Sequence, residues 1–294
     1  MVYDCFIFFD ELDLLEIRLT LLDDVVDYFV IVESNFTFSG KKKNYNFKVA
    51  EKRFSKWLNK IIYIPIEQSP EEFIFQKDLQ SYNSTDGAWQ MEYQQRNALA
   101  NANYLFADND TILLSDLDEI PDPRVIKSIG ISVEPELFEM LFHYYYLNCQ
   151  NVGYEHLWKG TIICSGKYFK NSTPQLIRDN RYNYKIIENA GWHFSYLGGA
   201  EKIKYKIQSF AHTEFNKDEY LQNEHILKVI TEGRDIFNRP GVAYKFISVF
   251  FYPPFLRKVM LHYPKLVYYP KRDNFFNIVK YKILRILHFF NIDL

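Results

Sequence analysis

The 294-residue chain has only three cysteines, Cys5, Cys149 and Cys164. They are odd in number, widely spaced and without a C-x-x-C pair, so neither a zinc knuckle nor a dithiol redox motif is indicated and a reducing compartment fits. Charge of one sign is also lacking. With 35 basic against 37 acidic residues the formal net charge is -2, and no global field draws the protein toward nucleic acid. The amino terminus, Met1 to Phe9, has no basic stretch followed by a long apolar run, so neither a signal peptide nor an amino-terminal anchor is expected and a cytoplasmic location is. The Asn-x-Ser/Thr triplets at Asn35, Asn83 and Asn171 would then never meet a glycosylation machinery. There is no internal repeat and no low-complexity linker. What is present is an ordinary globular share of hydrophobic residues, 48%, and a high aromatic share, 18%, a surplus suited to stacking on bases or sugar rings.

Two short apolar runs, residues 5–9 and 28–32, read as strands buried on both faces of a parallel sheet. Between them, Leu12, Leu15, Leu19 and Leu22 recur at helical spacing behind Asp10, which suits an N-cap. The alternation continues with a helix near 48–59, a strand at 61–66, a helix over 88–105 and a strand at 111–115. Further strands are expected at 136–147 and 160–165, and helices at 200–210 and 217–232. This pattern predicts an α/β fold, a Rossmann-like, mostly parallel sheet with helices on both faces and ligands beyond the carboxyl ends of its strands. Residues 1–235 are read as the catalytic domain and 236–294 as a carboxyl-terminal extension. In that extension residues 275–294 include a basic amphipathic segment, suited to packing on the domain or lying on an anionic membrane surface.

The run Leu113-Leu114-Ser115-Asp116-Leu117-Asp118-Glu119-Ile120-Pro121 ends a buried strand in three acids. Carboxylates crowded there repel one another and are costly to desolvate unless something positive joins them. A hard divalent cation, Mn²⁺ or Mg²⁺, suits such oxygens and keeps positions open for phosphate. Asp118 is read as the direct ligand, with Asp116 toward the ribose or a metal-bound water and Glu119 behind them. The competing reading makes these acids caps of the next helix, with Pro121 in its first turn.

Four segments resemble glycosyltransferase family 17, the bisecting β-1,4-mannosyl-glycoprotein 4-β-N-acetylglucosaminyltransferases: Phe9–Arg18, Val26–Gly40, Asp116–Pro121 and Ala190–Ser195. The resemblance implies a GT-A type fold, a UDP-sugar donor, UDP-GlcNAc in characterised members, and inversion at the anomeric carbon. A glycan or lipid-linked saccharide is the acceptor expected. The resemblance also favours His193 as a metal ligand or phosphate contact, with His212 as its rival.

Other positions carry alternatives. Glu33, at the end of the second strand, and Asp10 are candidates for donor contact; Glu33 is also read as a loop cap. Lys41-Lys42-Lys43 is read as a diphosphate contact or as solvated surface. Arg96 shares a helix stripe with Trp89 and Tyr93, so it needs an anion, either donor phosphates or a structural carboxylate. Trp192 is a further substrate-binding candidate. Inverting transfer needs a general base, and Asp179, Glu188 and Glu155 lie between the metal motif and His193. The aromatics Phe142 to Tyr146 and Trp158 suit either a sugar platform or the core. Two other functions are weighed: nucleotidyl transfer to a sugar phosphate, which normally brings a glycine-rich loop that Phe9-Asp10-Glu11-Leu12 lacks, and noncatalytic carbohydrate binding on the same fold.

Overall fold

Four runs of Val, Ile, Leu and Phe build one edge of the sheet. β1 (Val2–Phe8), β2 (Tyr28–Ser34), β3 (Ile61–Ile66) and β4 (Thr111–Asp116) lie parallel in the order β3-β2-β1-β4. This computed structural model describes residues 1–76, 79–130 and 134–269, so the basic segment expected at 275–294 lies outside the described residues. The pleat sends Phe6 and Phe8 into one core and Cys5 and Ile7 into the other, which is why these strands read as continuous apolar runs.

Right-sized connections join the parallel strands. α1 (Leu12–Leu22) links β1 to β2, α2 (Asn46–Ala50) and a 3-10 stretch over Glu51–Trp57 lead to β3, and α3 (Gly87–Asn97) with a 3-10 continuation leads to β4. The N-cap expected at Asp10 is not made. Glu11 precedes the first turn without a side-chain cap bond, and Asp10 instead pairs with Lys202 at 2.6 Å. α3 is capped as sequence rules would have it, by Asp86 accepting from the Ala88 N–H at 2.9 Å.

Past β4 the sheet becomes mixed. β8 (Leu157–Ser165) is antiparallel to β4, and β6 (Glu136–Tyr144) is antiparallel to β8; the connection between β6 and β8 is too short for a helical crossover. β7 (Cys149–Asn151) and β11 (Tyr244–Phe246) extend this edge, while β9 (Lys185–Ile187) and β10 (Gly191–Ser195) lie parallel to β6. The three-residue β5 (Glu119–Pro121) pairs antiparallel with β10, setting Glu119 opposite His193. The acids of the motif therefore do not cap a helix. That task falls to Asp122, which accepts from the Arg124 N–H of α4 (Pro123–Ser128) at 2.8 Å.

α5 (Gly166–Lys170) and α6 (Pro174–Asp179) follow β8, and Phe169 and Ile177 pack in the same core as Cys5 and Ile7. α7 (Ala200–Ile207) and α8 (Asn223–Glu232) pack around Tyr144 and Tyr196. α9 (Pro254–His262) buries Leu256, Val259 and Met260 in the core that holds α1. Residues 244–262 thus return into the same sheet and core. Among the described residues no helix is long and apolar enough to cross a membrane, and all three cysteines are buried and unpaired.

Gly191 lets β10 approach β5. Its φ is +157°, and a Cβ there would stand 2.4 Å from the Ile120 carbonyl oxygen. Gly191→Ala is expected to destabilise the fold by about 1–3 kcal/mol, seen as a lower urea midpoint at unchanged slope.

Candidate active site

The β4–β5 turn carries Asp116, Leu117, Asp118 and Glu119, and a buried arginine shapes it. Arg18 of α1 is 0% exposed. Its Nη1 donates to the carbonyls of Asp116, Leu117 and Glu119 at 3.0, 3.0 and 2.8 Å, and its Nη2 to Ser115 Oγ. Nε and Nη2 also donate to the buried Asp4 carboxylate of β1, at 2.8 and 2.6 Å. Three carbonyls of the turn thereby gain a charged donor from beneath, the Glu119 carbonyl alongside the Thr161 hydroxyl. The Phe194 N–H of β10 donates to the Asp118 carbonyl at 2.8 Å and ties the turn on its other side.

Each acid then meets its own cations. Asp116 accepts from Arg96 Nη2 at 3.0 Å on one oxygen and from Arg178 Nη2 at 2.9 Å on the other. Glu119, wholly buried, accepts from both Nη atoms of Arg178, from Trp158 Nε1 at 2.6 Å and from the Asp116 N–H at 3.0 Å. Asp118 accepts from Lys206 Nζ at 3.0 Å through Oδ2, and its Oδ1 lies 3.4 Å from His193 Nε2. Burial works to raise the Asp116 carboxyl, but Arg178 and Arg96 outweigh it and hold it at about 2. Burial likewise opposes ionisation of Asp118, and Lys206, then His193, bring it well below the usual carboxylate range.

Asp116, Asp118, Arg96, Arg178, Lys206 and His193 line a cleft of about 520 Å³ beyond the carboxyl ends of β1 and β4. His193 is clamped there between Phe142, stacked at 4.8 Å and 10°, and Trp158 at 4.4 Å. Its buried Nδ1 finds no hydrogen-bond partner among the described residues. Aromatic rings close the walls, among them Tyr82, Trp89, Tyr144 and Phe237.

Several candidates fall elsewhere. Glu33 is wholly buried and accepts from Lys43 Nζ, the Asn46 and Phe47 N–H groups and Tyr63 Oη. It anchors the start of α2 and engages Lys43, which does not line the cleft. Trp192 points to the face of β10 opposite His193 and packs at the core against Phe255. Glu155 and Glu188 are exposed in turns and do not line the cleft, whereas Asp179, at the end of α6, does. Arg96 finds its anion in structural carboxylates, Asp116 and Glu92. His212 lines the cleft but bonds Glu214 at 2.7 Å and stands edge-on to Trp89.

The expected donor set for a divalent cation is accordingly narrower. Among the described residues no three His, Cys, Asp or Glu side chains converge on one point, because the Asp116 oxygens are already bonded to arginines. Asp118 Oδ1 and His193 Nε2 do converge, at a separation close to that of neighbouring ligands on one ion. They fit a Mn²⁺ or Mg²⁺ whose remaining positions are taken by water and phosphate, as such ions prefer.

A model of glycosyltransferase family 17 matches residues 1–275. The chain belongs to this family. The β-1,4-mannosyl-glycoprotein 4-β-N-acetylglucosaminyltransferases of Rattus norvegicus and Homo sapiens are 25% and 24% identical to it over 236 residues, covering 70% of this chain and 42% of each relative. The chain thus spans about two fifths of the length of these relatives. Among solved structures, the galactosyltransferase LgtC in complex with donor and acceptor sugar analogs superposes with a TM-score of 0.34 at 10% identity, over 74% of this chain and 84% of that one.

In this family 17 chain the segments that carried the resemblance meet at one place. Phe9–Arg18 supplies Arg18 and the cleft-lining Glu11, Asp116–Pro121 the acids, and Ala190–Ser195 His193. Val26–Gly40 contributes the cleft-lining Phe38. Sequence reading missed Arg18, Arg178 and Lys206. Arg18 did leave a signal: it sits on the apolar stripe of α1, three residues beyond Leu15 and four before Leu22.

Two outcomes follow. Arg18→Met strands Asp4 in the core and should cost on the order of 3–5 kcal/mol, whereas Asp4→Asn/Arg18→Met should recover part of that in urea denaturation. The Asp116 pairs contribute stability that is full above about pH 4 and is lost as pH falls through about 2. Asp116→Asn should flatten that acid limb when urea midpoints are compared between those values.

Proposed function

We propose that the chain is an inverting glycosyltransferase that moves N-acetylglucosamine from UDP-GlcNAc to a hydroxyl of a glycan or lipid-linked saccharide. The observation that carries this reading is the Asp118–His193 pair, held at the floor of an aromatic-walled cleft by Lys206, Phe142 and Trp158. A bound Mn²⁺ or Mg²⁺ would neutralise charge growing on the leaving diphosphate.

The protein's own groups divide the remaining work. Asp118 stays ionised at any physiological pH and presents Oδ1 beside His193. Phe142 and Trp158 prevent that imidazole from swinging away. Arg96 and Arg178 keep Asp116 and Glu119 neutralised, so the turn does not repel an arriving diphosphate through those two acids. Asp179 is the general base: it is a cleft-lining acid with one oxygen bonded only to Gln175 Nε2, at 2.8 Å, and it takes the acceptor hydroxyl's proton as that oxygen attacks. Aromatic side chains of the cleft wall, Trp89 among them, supply apolar surface for base and sugar.

Purified protein incubated with UDP-GlcNAc, Mn²⁺ and a panel of saccharide acceptors should release UDP. Asp118→Asn and His193→Ala should each lower the rate by at least about a hundredfold, the scale of several kcal/mol of lost charge stabilisation. Asp179→Asn should lower kcat by about 10²–10⁴-fold while leaving UDP affinity unchanged. Equal UDP release by wild type and Asp118→Asn would overturn the reading. Pyrophosphate release from UTP and a sugar phosphate would replace it with nucleotidyl transfer.

A further inference from the structure

Lys206 stands at the cleft floor with partners on two separate loops. It projects from α7 with its Nζ 3.0 Å from Asp118 Oδ2 and 3.2 Å from Glu11 Oε1, so a single ammonium bridges the loop after β1 and the turn after β4. Both acids and Lys206 itself line the cleft. Its Nζ stands over the Tyr196 ring, 5.5 Å from the centroid, and its side chain is 19% exposed.

The floor is acid-rich. Beside the turn, Glu11 and Asp118 share the single ammonium of Lys206, while Arg96 and Arg178 balance Asp116 and Glu119; Arg181 and Arg239 also line the cleft but bond Tyr182 and Asp235. An anion carrying two phosphates meets net repulsion there unless a cation turns to it. Arg96 and Arg178 are poorly placed to do so. Their side chains are 3% and 5% exposed, and each is locked by planar, multidentate bonds to two acids and a further oxygen. Lys206 is a compact charge on a flexible stem. The helix that bears it starts after Gly198 and Gly199, at φ +98° and +82°, and a Cβ on Gly199 would meet nothing within 4 Å, so the backbone at its root is unhindered.

We infer that Lys206 is a partner-switching cation of the donor site: when a nucleoside diphosphate enters, the ammonium leaves the Glu11–Asp118 bridge for a diphosphate oxygen and frees Asp118 Oδ2 toward the cleft. This rests on the cleft being the donor site. It assigns to Lys206 recognition of the second phosphate, a role distinct from holding the fold.

The test compares uridine, UMP and UDP binding to the full chain by titration calorimetry at fixed Mn²⁺, for wild type, Lys206→Met and Lys206→Arg. Wild type should prefer UDP to UMP. Lys206→Met should lose about tenfold or more of its UDP affinity, the scale of one charge-assisted bond, with uridine and UMP affinities unchanged, and Lys206→Arg should keep most of the preference. Because a folding defect would weaken all three ligands alike, a Lys206→Met variant that retains the wild-type UDP-to-UMP ratio overturns the inference and leaves the proposed function standing. Wild type that binds none of the three overturns the donor-site reading, and the inference with it.

Discussion

Arg18 and Asp4 form the ion pair on which the remaining geometry depends. Neither side chain is exposed, and burying both is justified energetically only because every donor finds an acceptor. Asp4 belongs to the first strand and Arg18 to the first helix, yet the guanidinium's other bonds go to a turn about a hundred residues later. Stacked over Phe6 at 4.5 Å, it acts as a template: the turn that carries Asp116 and Asp118 has the shape of a planar cation pressed against three carbonyls. Geometry set by a rigid fork inside a core does not loosen with solvent fluctuations as a surface loop would.

Above that template, charges are arranged in tiers. The deepest acid, Glu119, is bonded on all sides and contributes no reactivity; Asp116 is bridged by two arginines; Asp118 alone keeps one oxygen toward an imidazole. Depth alone does not set the order: the Asp118 side chain is 12% exposed and that of Asp116 28%, yet Asp116 is held by two arginines and Asp118 by one lysine beside an imidazole. Glu119, wholly buried, is the acid whose desolvation demands a full set of partners. The same crowding that marks the motif in the sequence therefore yields one available carboxylate.

The parallel half of the fold was legible because both faces of its strands are covered, so β1 to β4 appear as unbroken apolar runs of the right length and spacing. The mixed half was less so: β5, β7 and β9 are three residues long, below what any periodicity can report, and their pairing is dictated by distant partners. The site divides the same way. Asp116, Asp118 and His193 could be found from chemistry and motif, and Arg96 was flagged by an arginine on an apolar stripe. The identical signal at Arg18, and an aspartate inside the apolar first strand at Asp4, pointed to the central pair just as clearly. Glu33 and Trp192 were misplaced for a common reason. Being near the cleft in sequence does not decide which face of a strand a side chain takes, and both took the inward one. Lys206 was invisible, since a lysine on an amphipathic helix looks like surface until the helix is docked.

The descent of the chain past residue 235 into the core carries a consequence for how the molecule can be divided. α9 lays Leu256, Val259 and Met260 on the flank of α1, and α1 is the helix that holds Arg18. The late helix is thus a buttress behind the β4–β5 turn. Trimming the protein at residue 235 would uncover that flank and leave the turn's template resting on a wet, unsupported helix.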